Sequence, residues 1–269
     1  MDAFTIHPAE GEELPILVSV PHCGVNFPDD IKDQYKSSLI EAPDDTDWFV
    51  DKLYGFVPSL GITMVTANYS RWVIDLNRDP DSKPLYTDGR IITALCPTTD
   101  FLGNPLYTDE RKDVAAGEVA RRLDLYYRPY HRQLDEHLTR LQARFKKVLL
   151  WDCHSIRQIV PTIQPDAFPD LILGDADGHA ADVNLTQAAL ESLRRGAYQV
   201  NHNHPFKGGT ITRHFGAPTN GRHALQLEMT KVHYMDDTQL RYDLQRATAM
   251  QKLLKRTLQN LALQLQTKA

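Results

Sequence analysis

Three cysteines in 269 residues is few, and their spacing excludes more than their number does. Cys23, Cys96 and Cys153 are an odd set with no C-x-x-C pair, so neither a disulfide framework nor a cysteine-rich zinc site is expected, and reduced thiols in the cytoplasm fit best. No run of about 18 apolar residues occurs, and the acidic N-terminus lacks the apolar core of a signal peptide. No membrane association is therefore expected. Basic excess is missing too: 30 Lys plus Arg stand against 35 Asp plus Glu, a formal charge of -5. A nucleic-acid binder needs a basic field to gain from counterion release, so none is expected here. The zincin pattern H-E-x-x-H is absent. What the chain does have is histidine, 11 of them, and neutral imidazole is the commonest metal ligand and a frequent acid or base.

A chain of this length buries roughly three quarters of its unfolded surface, enough for a core without staples, and no linker or repeat divides it. Short apolar runs alternate with segments of helical period, the pattern of an α/β layer fold. Strands are predicted at 14–20, 62–67, 72–76, 147–153, 170–173, 198–200 and 223–229. Helices are predicted at 47–56, 181–195, 238–263 and 114–145, the last kinked or interrupted by Pro129. The stretch 79–105 has no sustained period and reads as a long functional loop.

In open α/β sheets, ligands bind beyond the carboxyl ends of the strands, so polar residues after apolar runs carry the interest. His22 follows LPILVSVP and His154 follows KVLLWDC. A single histidine in such a place is ordinarily a buried turn residue, but two delivered to one sheet edge can share a metal. A catalytic zinc site adds a carboxylate and keeps one position open for water. The nearest source is Asp44-Asp45-Thr46-Asp47, with Asp47 the first choice and Asp51, one turn on, the alternative; acids also simply favour a helix N-terminus. Glu228, inside the apolar run ALQLEM, is costly to bury ionised, which suits a general base unless it points outward or pairs with an arginine. Arg71 and Arg78 flank WVIDLN, and Lys207, Arg213, His214 and Arg222 surround the Gly208-Gly209 turn. Guanidinium groups bind carboxylates bidentately, so this cluster suggests an acidic small molecule as ligand.

These segments together, VPHCG at 20–24, DTDWFVDKLY at 45–54, SRWVIDLNR at 70–78, DCHS at 152–155 and GGTITRHFG through HALQLEM at 208–229, resemble the N-formylglutamate amidohydrolase (N-formylglutamate deformylase) family over roughly 14–260. The resemblance implies an α/β fold with a mixed central sheet flanked by helices, of the zinc-dependent exopeptidase-like (phosphorylase/hydrolase-like) kind, and a single catalytic domain over 1–269. It also implies Zn²⁺-dependent cleavage of N-formyl-L-glutamate to L-glutamate and formate, the last step of one histidine-degradation route. Carried onto this chain, the metal ligands are His22, Asp47 and His154, and the catalytic residues are Glu228 and Arg71. Arg71, Arg78, Arg213 and Arg222 are the substrate-binding set. The chain departs from the carboxypeptidase pattern where a Glu three residues after the first histidine is replaced by Val25. Two rivals accompany this expectation: a zinc amidase or deacylase for another N-acyl or N-formimino acidic amino acid, and a metal-free dicarboxylate-binding protein.

Overall fold

The computed structural model describes residues 1–81 and 93–266. Among these residues seven strands, β1 (Phe4–His7), β2 (Ile16–Val20), β3 (Thr63–Ala67), β4 (Val148–Ile156), β5 (Leu171–Gly174), β6 (Val200–His202) and β7 (Arg222–Thr230), form one sheet in the order β1-β3-β2-β4-β7-β5-β6. Strands β3, β2, β4 and β7 run parallel, β1 is antiparallel to β3, and β5 is antiparallel to β7, so the sheet is mixed. Seven α-helices among the described residues complete the framework: α1 (Ser37–Ile40), α2 (Val50–Leu53), α3 (Ala116–Arg122), α4 (Arg128–Phe145), α5 (Val183–Leu193), α6 (Thr210–Phe215) and α7 (Leu244–Gln266).

Strand alternation assigns the faces. Ile16, Val18, Val20, Leu149, Trp151, Cys153, Leu225, Leu227 and Met229 pack with α5 and α7 in one core. Leu17, Val148, Leu150 and Ala224 pack on the other face with α4 and α6. On this second face the chemistry changes along the strands. Val148 and Leu150 give way to Asp152 and His154, and Ala224 gives way to Gln226 and Glu228, so the carboxyl ends of β4 and β7 carry a polar patch on an otherwise apolar sheet. The strand order reverses at β2, with β3 on one side and β4 on the other, which opens a crevice at those carboxyl ends.

The mixed α/β class agrees with expectation, while several boundaries do not. The 72–76 segment is a succession of turns instead of a strand. Its apolar residues are buried as in a strand, but side chains take its carbonyls: Tyr35 donates to Trp72 O (3.1 Å), Arg122 to Val73 O (2.9 Å) and His131 to Leu76 O (2.8 Å), and just beyond it Tyr127 donates to Arg78 O (2.9 Å). The predicted helix 47–56 shrinks to α2 because Phe49 is left-handed, at φ 62°. Pro129 interrupts no more than the register: a π-helical turn, Leu123–Tyr127, precedes it, and it enters the first turn of α4, where its missing N–H is least costly. Helix α7 starts at Leu244 instead of 238, since Asp236 accepts from Thr238, Leu240 and Arg241 and closes a turn there. Strand β1 and helix α6 had no counterpart in the sequence reading, and the core of the predicted 79–105 loop, 82–92, lies outside the described residues.

The exits of β2 and β3 are laced together by backbone. Asn26 N donates to Asn68 O (3.2 Å), and Ser70 N donates to Asn26 O (2.9 Å). At Gly24 a Cβ would lie 2.3 Å from Tyr69 O, so only glycine permits this approach.

Candidate metal centre

His22 leaves β2 through Pro21, and its carbonyl accepts a hydrogen bond from Asp47 N at 3.0 Å, which ties the two loops at the backbone. His154 lies within β4, one pleat beyond Asp152 on the same face, and its register partner on β7 is Glu228. All four side chains are buried.

The imidazoles of His22 and His154 face one another at 4.8 Å between centroids. The Nε2–H of His22 donates to Asp75 Oδ1 at 2.8 Å, and that of His154 donates to Asp152 Oδ2 at 2.9 Å. Each ring is thereby oriented by a carboxylate, as the outer partners of metal-bound histidines are. Their Nδ1 atoms turn to Asp47, whose Oδ2 lies 3.7 Å from that of His22 and 3.1 Å from that of His154. His22 Nδ1 has no hydrogen-bond partner among the described residues although it is buried. Ligand atoms at about 2.0–2.1 Å from a tetrahedral ion are roughly 3.3 Å apart, so these separations suit one divalent cation. The three donors lie within 4.8 Å of one another, the one such group among the described residues. Asp51, the alternative carboxylate, is exposed on α2 and does not join them.

Burial pushes the Asp47 carboxyl up, but His154 and His22 more than offset it and hold it well below its usual range. Burial opposes a charge on His154, yet Asp152 and Asp47 raise its pKa well above the ordinary value. A proton on this imidazole therefore occupies the direction in which a cation would sit. Glu228 has the opposite balance: burial, with Asp47 adding to it against His154 and Arg71, raises its carboxyl to about 8. Acids pushed apart in this way are the arrangement that lets one carboxyl ligate and another carry a proton.

Arg71 is buried, donates to Asp75 Oδ2 at 2.6 Å, approaches Asp47 Oδ1 at 4.0 Å and stacks over Phe101 at 4.7 Å. Arg78 approaches Asp75 Oδ2 at 3.7 Å and donates to Thr93 at 3.2 Å. Arg213 is exposed on α6, with its Nε donating to Gly208 O at 3.0 Å. It lines an open depression with Asp79, Tyr127, His131 and His214. Lys207 pairs with Asp177 at 2.8 Å. Arg222 is not brought to the site: it opens β7, six residues and about 20 Å of strand before Glu228, and pairs with Asp135 on α4 at 2.6 Å. Closeness in sequence to the Gly208-Gly209 turn misled, because the two ends of a strand lie on opposite edges of the sheet.

Residues beyond those expected complete the surroundings. Asp75 and Asp152 back the histidines, and Asn77 places Nδ2 3.0 Å from His154 Nε2 while its Oδ1 accepts from Ile211 N at 2.8 Å. At Gly209 a Cβ would come within 2.3 Å of that carboxamide. The available signals were an acid inside the buried WVIDLN run and an acid two residues before His154, on the same strand face. Cys23 and Cys153, next to the two histidines, are free thiols whose pKa burial pushes well up, so they are inert packing groups.

A sequence model of the N-formylglutamate amidohydrolase family matches residues 14–235. The chain is 41% identical over 254 residues to N-formylglutamate deformylase of Pseudomonas putida, covering 92% of each chain, and 42% identical over 229 residues to that of Pseudomonas aeruginosa, covering 83% of each. The crystal structure of N-formylglutamate amidohydrolase from Ralstonia eutropha JMP134 superposes with a TM-score of 0.79 at 31% identity over 97% of both chains. A gene product of Agrobacterium tumefaciens, at 18% identity over 96% of both chains, shares the fold with a TM-score of 0.73.

Proposed function

The chain belongs to the N-formylglutamate amidohydrolase family, and from that premise we propose that it is a zinc-dependent hydrolase of N-formyl-L-glutamate, releasing L-glutamate and formate. The observation that carries this reading is the convergence of His22 Nδ1, His154 Nδ1 and Asp47 Oδ2, each imidazole backed by its own carboxylate, with Glu228 beside His154 on the next strand. His22, Asp47 and His154 would hold the ion. When bound, a divalent metal such as Zn²⁺ supplies a Lewis acid for the formyl oxygen, a water more acidic than bulk, and positive charge that favours the Glu228 carboxylate.

Glu228 takes the proton of the attacking water as its oxygen bonds to the formyl carbon. It then delivers that proton to the departing nitrogen as the C–N bond breaks, so that formate and the free amine leave. Arg71, whose guanidinium approaches Asp47 Oδ1 at 4.0 Å, is assigned to support the oxyanion that develops between these steps. Asp75 and Asp152 hold the histidine rings in the tautomer that presents Nδ1 to the ligand position. Arg78 and Arg213 are the remaining cations proposed for substrate carboxylates, and Arg222 has no part in this reading. In this reading 1–269 is a single catalytic domain and its partner is an acidic N-acyl amino acid. The deformylase names of the two Pseudomonas relatives support formyl and glutamate as the acyl and amino-acid halves. The three unpaired thiols suit a cytoplasmic enzyme, and histidine degradation would supply the substrate.

Formate release by metal-stripped, zinc-restored and Glu228→Gln protein tests this. Zinc restores turnover, and Glu228→Gln retains metal and substrate affinity while kcat falls about 100- to 10,000-fold. A near-wild-type rate in that variant removes Glu228 from the mechanism, and stripped protein that zinc does not revive removes the metal. Formimino and acetyl analogues, compared in the same assay, are expected to be poorer substrates.

A further inference from the structure

The run Asp44-Asp45-Thr46-Asp47 supplies one candidate ligand, and Asp45, two residues before it, is buried yet takes no part in the mechanism. A buried carboxylate needs donors to offset its desolvation. Asp45 has two, and both lead to Arg71. Its Oδ2 accepts from Trp72 Nε1 at 2.8 Å, and Trp72 is the chain neighbour of Arg71. The same oxygen accepts from Phe101 N at 3.1 Å, and the Phe101 ring lies over the Arg71 guanidinium at 4.7 Å. The Asp45 carbonyl accepts from Arg71 Nη1 at 3.5 Å.

Phe101 is held from its other side as well. Its carbonyl accepts from Thr162 Oγ1, and it packs against the cluster of Ile156, Val160 and Phe168. The turn that carries it, 100–104, is otherwise closed on itself, with Asp100 accepting from Leu102 N, Asn104 N and Asn104 Nδ2. A guanidinium is a plane on a long, flexible stem. The bond from Nη2 to Asp75 Oδ2 (2.6 Å) fixes one corner of Arg71 but leaves the plane free to turn about it. A ring against its face removes that freedom, and Asp45 sets the place of the ring. The stretch 45–47 thus places Arg71 through its first residue and the ligand carboxylate through its last, with Arg71 Nη1 4.0 Å from Asp47 Oδ1.

We propose that Asp45 is a positioning residue for Arg71, acting through Phe101 and Trp72. Its effect on turnover passes through the orientation of the guanidinium alone. The inference rests on the hydrolase reading above for the work Arg71 does, but the orientation itself is observable without turnover.

The test is a double-mutant cycle on formate release from N-formyl-L-glutamate. An oxyanion exists only between the chemical steps, so misplacing its partner lowers kcat and leaves KM nearly unchanged. Asp45→Ala is expected to keep its zinc and lose about 10- to 100-fold in kcat, with KM within about threefold. In an Arg71→Ala background the same substitution is expected to lower kcat by less than about twofold, since the residue it positions is gone. Losses that multiply in the double variant, or that fall on KM, give Asp45 a role apart from Arg71 and overturn the proposal. Should Asp45→Ala not fold or not keep zinc, Phe101→Leu decides. It retains the backbone bond to Asp45 and is expected to lose about 3- to 30-fold in kcat when Arg71 is present and almost nothing when it is absent. An unchanged rate with Arg71 present overturns the clamp. Orientation is read by NMR from the Arg71 Nε–H signal, identified by its loss in Arg71→Lys. The ring current of Phe101 should shift it upfield of the other arginines, and Asp45→Ala should return it toward them. A signal that Asp45→Ala leaves in place overturns the clamp even with hydrolysis intact. An upfield, Asp45-dependent signal in zinc-loaded protein that releases no formate refutes the hydrolase reading and retains the clamp.

Discussion

Asp47 and Asp51 sit four residues apart and carry the same group, yet the left-handed backbone at Phe49 separates their fates: one is buried against two histidines, the other faces solvent. Asp47→Asn should therefore lose most of its zinc on dialysis, whereas Asp51→Asn should retain wild-type stoichiometry by elemental analysis. Equal retention in both would dismiss Asp47 as a ligand. Sequence showed His22 and His154 because each follows an apolar run, Glu228 because it lies inside one, and Asp47 because it belongs to the nearest cluster of acids. It did not show Asp75 or Asp152, whose importance depends on which neighbour a side chain meets across the fold. Val25, at the position of the expected third-residue glutamate, is 39% exposed, and Asp47 supplies the carboxylate beside His22 instead.

At the level of elements, the 72–76 segment shows why a buried apolar run is ambiguous. Hydropathy records burial, and burial here is satisfied by turns whose carbonyls are capped by side chains from elsewhere. One of those caps is titratable. His131 on α4 donates to Leu76 O, and burial lowers its pKa from 6.5 to about 4. Between those values the unfolded chain binds a proton that the folded chain refuses. The stability from this residue is thus complete above pH 6.5 and lost as pH falls toward 4, about 1–2 kcal/mol after allowance for the part of the ring that water reaches. Thermal melting from pH 7 to pH 4 should show this decline, and His131→Gln, which keeps a donor for Leu76 O, should flatten it. A slope unaltered by the substitution would assign the decline to other groups.

The order of strands is a property of the whole molecule, and periodicity does not contain it: β5 pairs antiparallel with β7 and parallel with β6, and β1 closes the opposite edge. For the same reason Arg222, near the site in sequence, is at the far edge in space. The α/β class was legible because class depends on the local alternation of strand and helix patterns. If the centre holds zinc, the ion joins the exit of β2, the turn before α2 and strand β4, and it stabilises only the folded chain. At an ion concentration 1,000 times the dissociation constant this amounts to about 4 kcal/mol, or a melting shift on the order of 10 °C. Chelation should lower the melting temperature by that much and added zinc should restore it; an unmoved transition would show that no ion contributes. The laced exits of β2 and β3 constrain how such a protein can be rebuilt. His22 is on one strip, Arg71 and Asp75 are on the next, and Gly24 presses directly on the backbone at Tyr69. For anyone exchanging loops between relatives, 21–26 and 68–78 form one indivisible cassette, and transplanting either half alone would import a rim that no longer fits its neighbour.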